Sequence, residues 1–145
     1  CLALLIAAGV EPRSLLLVGF SASFAAKLAD TFGSEIGKRW GRRPVLITTL
    51  RSVPPGTEGA ISLAGTLASA AGSVLMTLVM WQLQLLPSIS VSLVVMLIGL
   101  LATLAESLLG ALAQDRFRWL SNELVNALQT LLAAVMAMLW LGGRI

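Results

Sequence analysis

Four acids and a lysine stand where an oily chain would ordinarily carry none. Lys27, Asp30 and Glu35 follow a long apolar run, Glu58 sits between Gly56 and Gly59, and Glu106 interrupts a later apolar run. An ionisable side chain in or beside a hydrocarbon span is costly, so it marks a functional site by default. Asp30, Glu58 and Glu106 are candidate Mg²⁺ ligands, because Mg²⁺ is held by one or two carboxylates together with substrate phosphates. With Glu35 they make a set of acids able to organise phosphoryl transfer. Lys27 and Arg51 are placed to neutralise charge on a transferring group. Thr57 is the expected N-cap of a helix running from Glu58 to about Leu83. Gly56 and Gly59 would let backbone N–H groups approach a phosphate at that helix N-terminus. Thr31, Ser34, Ser62, Ser107, Asn122 and Asn126 complete the polar contacts expected around a nucleotide or phosphate.

What is missing narrows the chemistry. The chain has no histidine, which removes Ser-His-Asp and Cys-His catalysis, His-ligated zinc and a His general base. A single cysteine, Cys1, makes neither an internal disulfide nor a metal cluster. No Gly-rich P-loop string ending in Gly-Lys-Ser/Thr occurs. An alcohol acceptor would need a base, a role open to Asp30. A phosphate monoester, with a second pKa of about 6, is already a nucleophilic anion at neutral pH, so it is the easier acceptor.

The elements that must position these groups are membrane helices. The 145 residues are 57% hydrophobic and 12% charged, with mean hydropathy +0.91; a soluble domain carries about 25% charged residues. Three windows, Ala60 to Trp81, Leu85 to Ala105 and Leu124 to Gly143, hold no charge and approach the length of a bilayer span. A further helix is expected from Ser14 to about Trp40. Along it, Ser21, Ala25, Ala29, Gly33, Gly37 and Gly41 form a strip of small residues that admits a neighbouring helix closely. Lys27, Asp30, Ser34 and Lys38 share another face. Leu2 to Val10 is too short to span and reads as the tail of a truncated helix. The expected fold is therefore all-α: a polytopic transmembrane bundle of about four helices plus a truncated N-terminal one. It would form a single integral membrane domain over 1–145, a fragment lacking N-terminal helices.

Threading these spans puts the basic loops 38–56 and 113–120 on one side, with Lys38, Arg39, Arg42, Arg43, Arg51, Arg116 and Arg118, against Arg13 and Arg144 on the other. The positive-inside rule makes the basic side cytoplasmic. Net charge +3 then reports loops facing lipid headgroups rather than a nucleic-acid partner. Val45 to Leu50 is either an extended segment or a re-entrant piece. The same threading brings Asp30, Glu35, Glu58, Glu106, Ser107, Asn122 and Asn126 towards the cytoplasmic ends of separate helices.

At these residues the chain resembles the family known as domain of unknown function 92. The strings that carry the likeness are Lys27-Leu-Ala-Asp30-Thr31, Ser34-Glu35-Ile-Gly37-Lys38, Gly56-Thr57-Glu58-Gly59-Ala60 and Gly65-Thr66-Leu-Ala68. Glu106-Ser107-Leu-Leu-Gly110 and Trp119-Leu-Ser-Asn122 through Asn126 add to it. The plant and cyanobacterial branch of that family includes a phytyl-phosphate kinase of tocopherol synthesis. The Asp-Thr-x-x-Ser-Glu-x-Gly pattern is also similar to dolichol kinase, phytol kinase and, more loosely, CDP-archaeol synthase. The resemblance implies CTP or another nucleoside triphosphate as donor, Mg²⁺ as cofactor and an isoprenoid lipid phosphate as acceptor, phytyl phosphate becoming phytyl diphosphate. Plant members carry Glu where this chain has Ala64. Two other enzymatic outcomes fit the same residues, a cytidylyltransferase forming a CDP-lipid and an isoprenoid alcohol kinase. A transporter using Lys27 and Asp30 as an ion relay is the non-enzymatic rival, and an oligomer is left open.

Overall fold

The computed structural model describes residues 1–10, 12–114 and 121–143. Helix α1 (Leu2–Ala7) precedes the long α2 (Arg13–Trp40), which starts behind Pro12, a residue suited to opening a helix. Two short strands follow, β1 (Val45–Leu46) and β2 (Ala60–Ile61), and then α3 (Leu63–Gln82), α4 (Ile89–Leu109) and α5 (Asn122–Gly142). A π-helical turn, Gly110–Gln114, continues α4. Ser62, Ser88 and Ser121 cap α3, α4 and α5, each side chain accepting from the N–H three residues on. Among the described residues, four helices are long and apolar enough to cross a membrane: α2, α3, α4 with its extension to Ala113, and α5. The Arg116 and Arg118 part of the second basic loop, with Glu11 and Arg144, lies outside the described residues.

The bundle is built on α2, which packs against α3, α4 and α5. Without a hydrophobic force between helices in lipid, close backbone approach has to supply the attraction. The expected strip on α2 does so. Ser21, Ala25 and Ala29 are fully buried, and Gly37 lies so near α3 that a Cβ there would sit 3.3 Å from the Gly65 Cα. On α3, a Cβ at Gly72 would fall 2.6 Å from the Leu28 carbonyl oxygen. On α4, one at Gly99 would fall 3.1 Å from Ala25. Polar groups tie the same core. Gln129 of α5 donates from Nε2 to the Ala26 carbonyl (3.1 Å) and to Thr103 Oγ1 (3.0 Å), joining α5, α2 and α4. Large apolar side chains such as Leu67, Leu78, Leu97, Leu101 and Leu131 stay exposed, as a lipid-facing surface requires.

The segment after α2 corrects one expectation. No helix starts at Glu58, and Thr57 is not its cap. Instead β1 pairs antiparallel with β2, Val45 opposite Ile61 and Leu46 opposite Ala60, so Val45 to Leu50 begins as an extended segment. Gly59 takes φ +73° and its carbonyl accepts from the Ile47 N–H at 3.1 Å. A left-handed residue followed by paired strand cannot propagate a helix. Thr57 instead closes a turn, its Oγ1 donating to the Pro54 carbonyl at 2.8 Å. Helix α3 therefore begins five residues later, at Leu63.

Candidate functional site

One cavity of about 560 Å³ lies at the α2 C-terminal end of the bundle, between the helices and the β1–β2 segment. Each wall comes from a different element. The polar face of α2 supplies Lys27, Asp30, Thr31, Ser34, Glu35 and Lys38, at the helical spacing that puts them on one side. The β1–β2 connection supplies Gly56, Thr57, Glu58 and Gly59, and the start of α3 supplies Ser62, Gly65, Thr66 and Ser69. Thr103, Glu106 and Ser107 come from α4, and Asn122 and Asn126 from the first turns of α5.

The floor is organised by Lys27. Its Nζ donates to Asp30 Oδ2 at 2.9 Å and also to Asn126 Oδ1, linking α2 to α5. Asn126 is oriented in turn by its own Nδ2, which donates to the Asn122 carbonyl at 3.1 Å. Lys27 remains 47% exposed and Asp30 18%, so the ammonium keeps access to the cavity after making both bonds. The Glu106 carboxyl lines the same cavity and lies close enough to Asp30, Lys27 and Glu58 for their charges to act on it. Several hydroxyls are held by their own helices: Thr31 donates to the Lys27 carbonyl (2.9 Å), Ser34 to that of Thr31 (3.2 Å) and Ser107 to that of Thr103 (3.3 Å). Their lone pairs are left for a ligand.

Gly59 docks the β1–β2 connection onto the bundle. A Cβ there would meet the Ala111 side chain and lie 2.6 Å from both the Ala111 nitrogen and the Ser107 carbonyl oxygen. Only glycine fits that contact and that φ. This contact carries Glu58 to the cavity although no helix carries it. Gly56, at φ +88°, has open space around it.

Nearly every candidate residue named from the sequence lines this cavity; Arg51 does not. It sits in the turn after Leu50 (φ +54°), its carbonyl accepting from the Leu46 N–H. Ala64 does not line the cavity either. Lys38, Thr66, Ser69 and Thr103 do, and no role had been expected of them. Lys38 was legible as part of the α2 polar face, and Thr103 as a hydroxyl inside an apolar run.

The donor set suits a cation that arrives with its ligand. The cavity's acids outnumber its lysines four to two, so a phosphate entering alone would meet net negative charge. Among the described residues no three acids are drawn together tightly enough to hold a metal by themselves. Asp30, Glu58 and Glu106 all line the cavity, enough to offer the one or two carboxylates that Mg²⁺ takes when phosphates and water supply the rest.

Four helices of membrane-spanning length among the described residues, with a charged cavity at one end of their bundle, define a polytopic membrane protein with a polar site. The chain belongs to the family described as integral membrane protein DUF92, whose model matches residues 1–134. It is 44% identical over 136 residues to an uncharacterized membrane protein of Synechocystis sp., covering 93% of this chain and 52% of that protein. It is 41% identical over 134 residues to Protein VTE6, chloroplastic, of Arabidopsis thaliana, covering 90% of this chain and 40% of that one. An uncharacterized membrane protein of Methanocaldococcus jannaschii is 39% identical over 123 residues, with 85% and 50% covered. The chain thus spans about half the length of these relatives, or less. No solved structure matches it.

Proposed function

We propose that this chain carries the phosphoryl-transfer site of a kinase acting on an isoprenoid lipid phosphate, with CTP as the first donor to test and phytyl phosphate as the first acceptor. The observation that carries the proposal is the convergence of Lys27, Asp30, Glu58 and Glu106 from two helices and the β1–β2 connection into one cavity at a bundle end. Likeness to Protein VTE6, chloroplastic, and to the phytyl-phosphate kinase branch of the family supports a place in tocopherol synthesis. Arg39, Arg42 and Arg43 flank the same bundle end, and the positive-inside rule assigns that end to the cytoplasm, where nucleotide is available.

In this reaction a phosphate oxygen of the lipid monoester attacks the γ-phosphorus of the nucleotide. The bond from that phosphorus to the β–γ bridging oxygen breaks, and the nucleoside diphosphate leaves with the electron pair. Carboxylates of Asp30, Glu58 and Glu106 would hold Mg²⁺, which when bound supplies neutralisation of the phosphate oxygens. Lys27, fixed by Asp30 and Asn126, presents its ammonium to the transferring group. The Ser62 hydroxyl, which accepts from the Gly65 N–H, donates its proton to a phosphate oxygen, while Thr31, Ser34 and Ser107 offer lone pairs to donors on the ligand or to metal-bound water. No general base is required, because the acceptor is already an anion.

The test is to incubate membranes containing the full-length protein with phytyl phosphate, Mg²⁺ and each γ-labelled nucleoside triphosphate, then to analyse lipids and released nucleotide. Labelled phytyl diphosphate with nucleoside diphosphate is expected. Pyrophosphate with a CDP-lipid would instead assign cytidylyl transfer, and ion flux without nucleotide turnover would assign transport.

A further inference from the structure

A second cavity, of about 390 Å³, runs along the outside of the bundle between α4 and α5. It is walled by Ala105 and Leu109 on one side and Leu128, Leu131, Leu132 and Val135 on the other. From Val125 to Val135 it follows α5 for roughly 15 Å at 1.5 Å per residue. The four α5 side chains of this wall are 40–59% exposed, uncovered by any other described helix.

Two features separate this groove from an ordinary lipid-facing seam. Glu106 and Val125 line both it and the charged cavity, so the two adjoin at the acid that neighbours Asp30. Gln129 also lines it: the residue is 97% buried, and its Oε1 has no hydrogen-bond partner. An otherwise oily groove that ends on a carboxylate and a buried carboxamide suits an amphipathic occupant. Its tail would lie along the groove and its charged head in the cavity beyond Glu106.

We infer that the α4–α5 groove holds the hydrocarbon tail of the lipid phosphate acceptor, admitted sideways from the bilayer, while its phosphate sits beside Asp30 and Glu106. This placement rests on the kinase function proposed above. It adds where the acceptor lies and which surface selects for chain length. The chemistry is that of a long apolar chain bearing a phosphate monoester. A short monoester reaches the same acids from the aqueous side and makes no use of the groove.

The experiment uses the full-length protein in proteoliposomes with phytyl phosphate carrying a photoreactive diazirine in its tail, followed by mass-spectrometric mapping. Labelling is expected on Leu128, Leu131, Leu132 and Val135, and excess unlabelled phytyl phosphate should compete it away. Leu128→Trp and Leu132→Trp should each cut labelling and raise KM for phytyl phosphate about tenfold, the loss expected from roughly two methylenes leaving apolar contact. Isopentenyl phosphate should be turned over unchanged, and Leu67→Trp on the far lipid face of α3 should have no effect. Labelling spread evenly over Leu67, Leu78 and Leu131 would mean bulk lipid only and would overturn the groove. Absence of label from α5 would do the same. Selective, competed labelling without formation of any lipid diphosphate would keep the groove and remove the kinase.

Discussion

Gly59→Ala, compared with Gly56→Ala, tests whether the β1–β2 connection is docked where the site needs it. Both glycines have positive φ, +73° and +88°, so alanine meets a similar backbone cost of about 1–2 kcal/mol at either position. Only Gly59 has neighbours. A Cβ there lies 2.6 Å from the Ala111 nitrogen and the Ser107 oxygen, against about 3.5 Å for ordinary contact. The connection must therefore retreat by roughly 1 Å, and overpacking of that kind costs about 1–3 kcal/mol. Relative to Gly56→Ala, Gly59→Ala should lower kcat/KM for nucleotide by roughly fivefold to a hundredfold. It should also speed tryptic cleavage after Arg51, and both variants should keep the thermal stability of the helical bundle. Equal losses in the two variants, with equal cleavage rates, would refute the docking argument and separate Glu58 from the site.

Other substitutions probe separate links. Lys27→Met removes the bridge between Asp30 and Asn126 and leaves Lys38 as the cavity's one lysine, so nucleotide turnover should fall about a hundredfold, the effect of losing one charge-stabilising donor; purified protein and saturating Mg²⁺ give the comparison. Gly72→Val drives a side chain into the Leu28 carbonyl and should destabilise the α2–α3 pairing by about 1–3 kcal/mol, measured as a lower midpoint in detergent-mediated unfolding. Gln129→Leu deletes hydrogen bonds to Ala26 and Thr103 and should cost about 1 kcal/mol, since such bonds average ~0.6 kcal/mol each in membranes.

The parts of the fold set by local periodicity were readable in the sequence. The small-residue strip of α2 and its face of Lys27, Asp30, Ser34 and Lys38 follow from helical spacing alone, and both lie where that spacing puts them. The start of α3 was not readable. Thr57 ahead of Glu58 carries a strong capping signal, but the pairing of Val45 with Ile61 spans the connection and overrides local preference. A tertiary contact, Gly59 against Ser107 and Ala111, decides that geometry, and nothing near Gly59 in the chain announces it. Gln129 and Thr103 escaped notice for a different reason. Neither bears a charge, so a search for interrupted apolar runs passes over them, although their hydrogen bonds fasten α5 to α2 and α4. Arg51, a basic residue close in sequence to the site, is not among the residues that line the cavity.

The most direct measurement is γ-phosphate transfer from labelled CTP to phytyl phosphate by the full-length protein, wild type against Asp30→Asn, at matched expression and folding. Asp30 touches Lys27 and neighbours Glu106, so its charge underlies both the lysine's position and the acid pair. The wild type should form labelled phytyl diphosphate, and Asp30→Asn should lose at least 99% of that rate, a hundredfold effect typical of removing a preorganised charge. Undiminished transfer in Asp30→Asn would contradict the assignment of this cavity as the site of reaction.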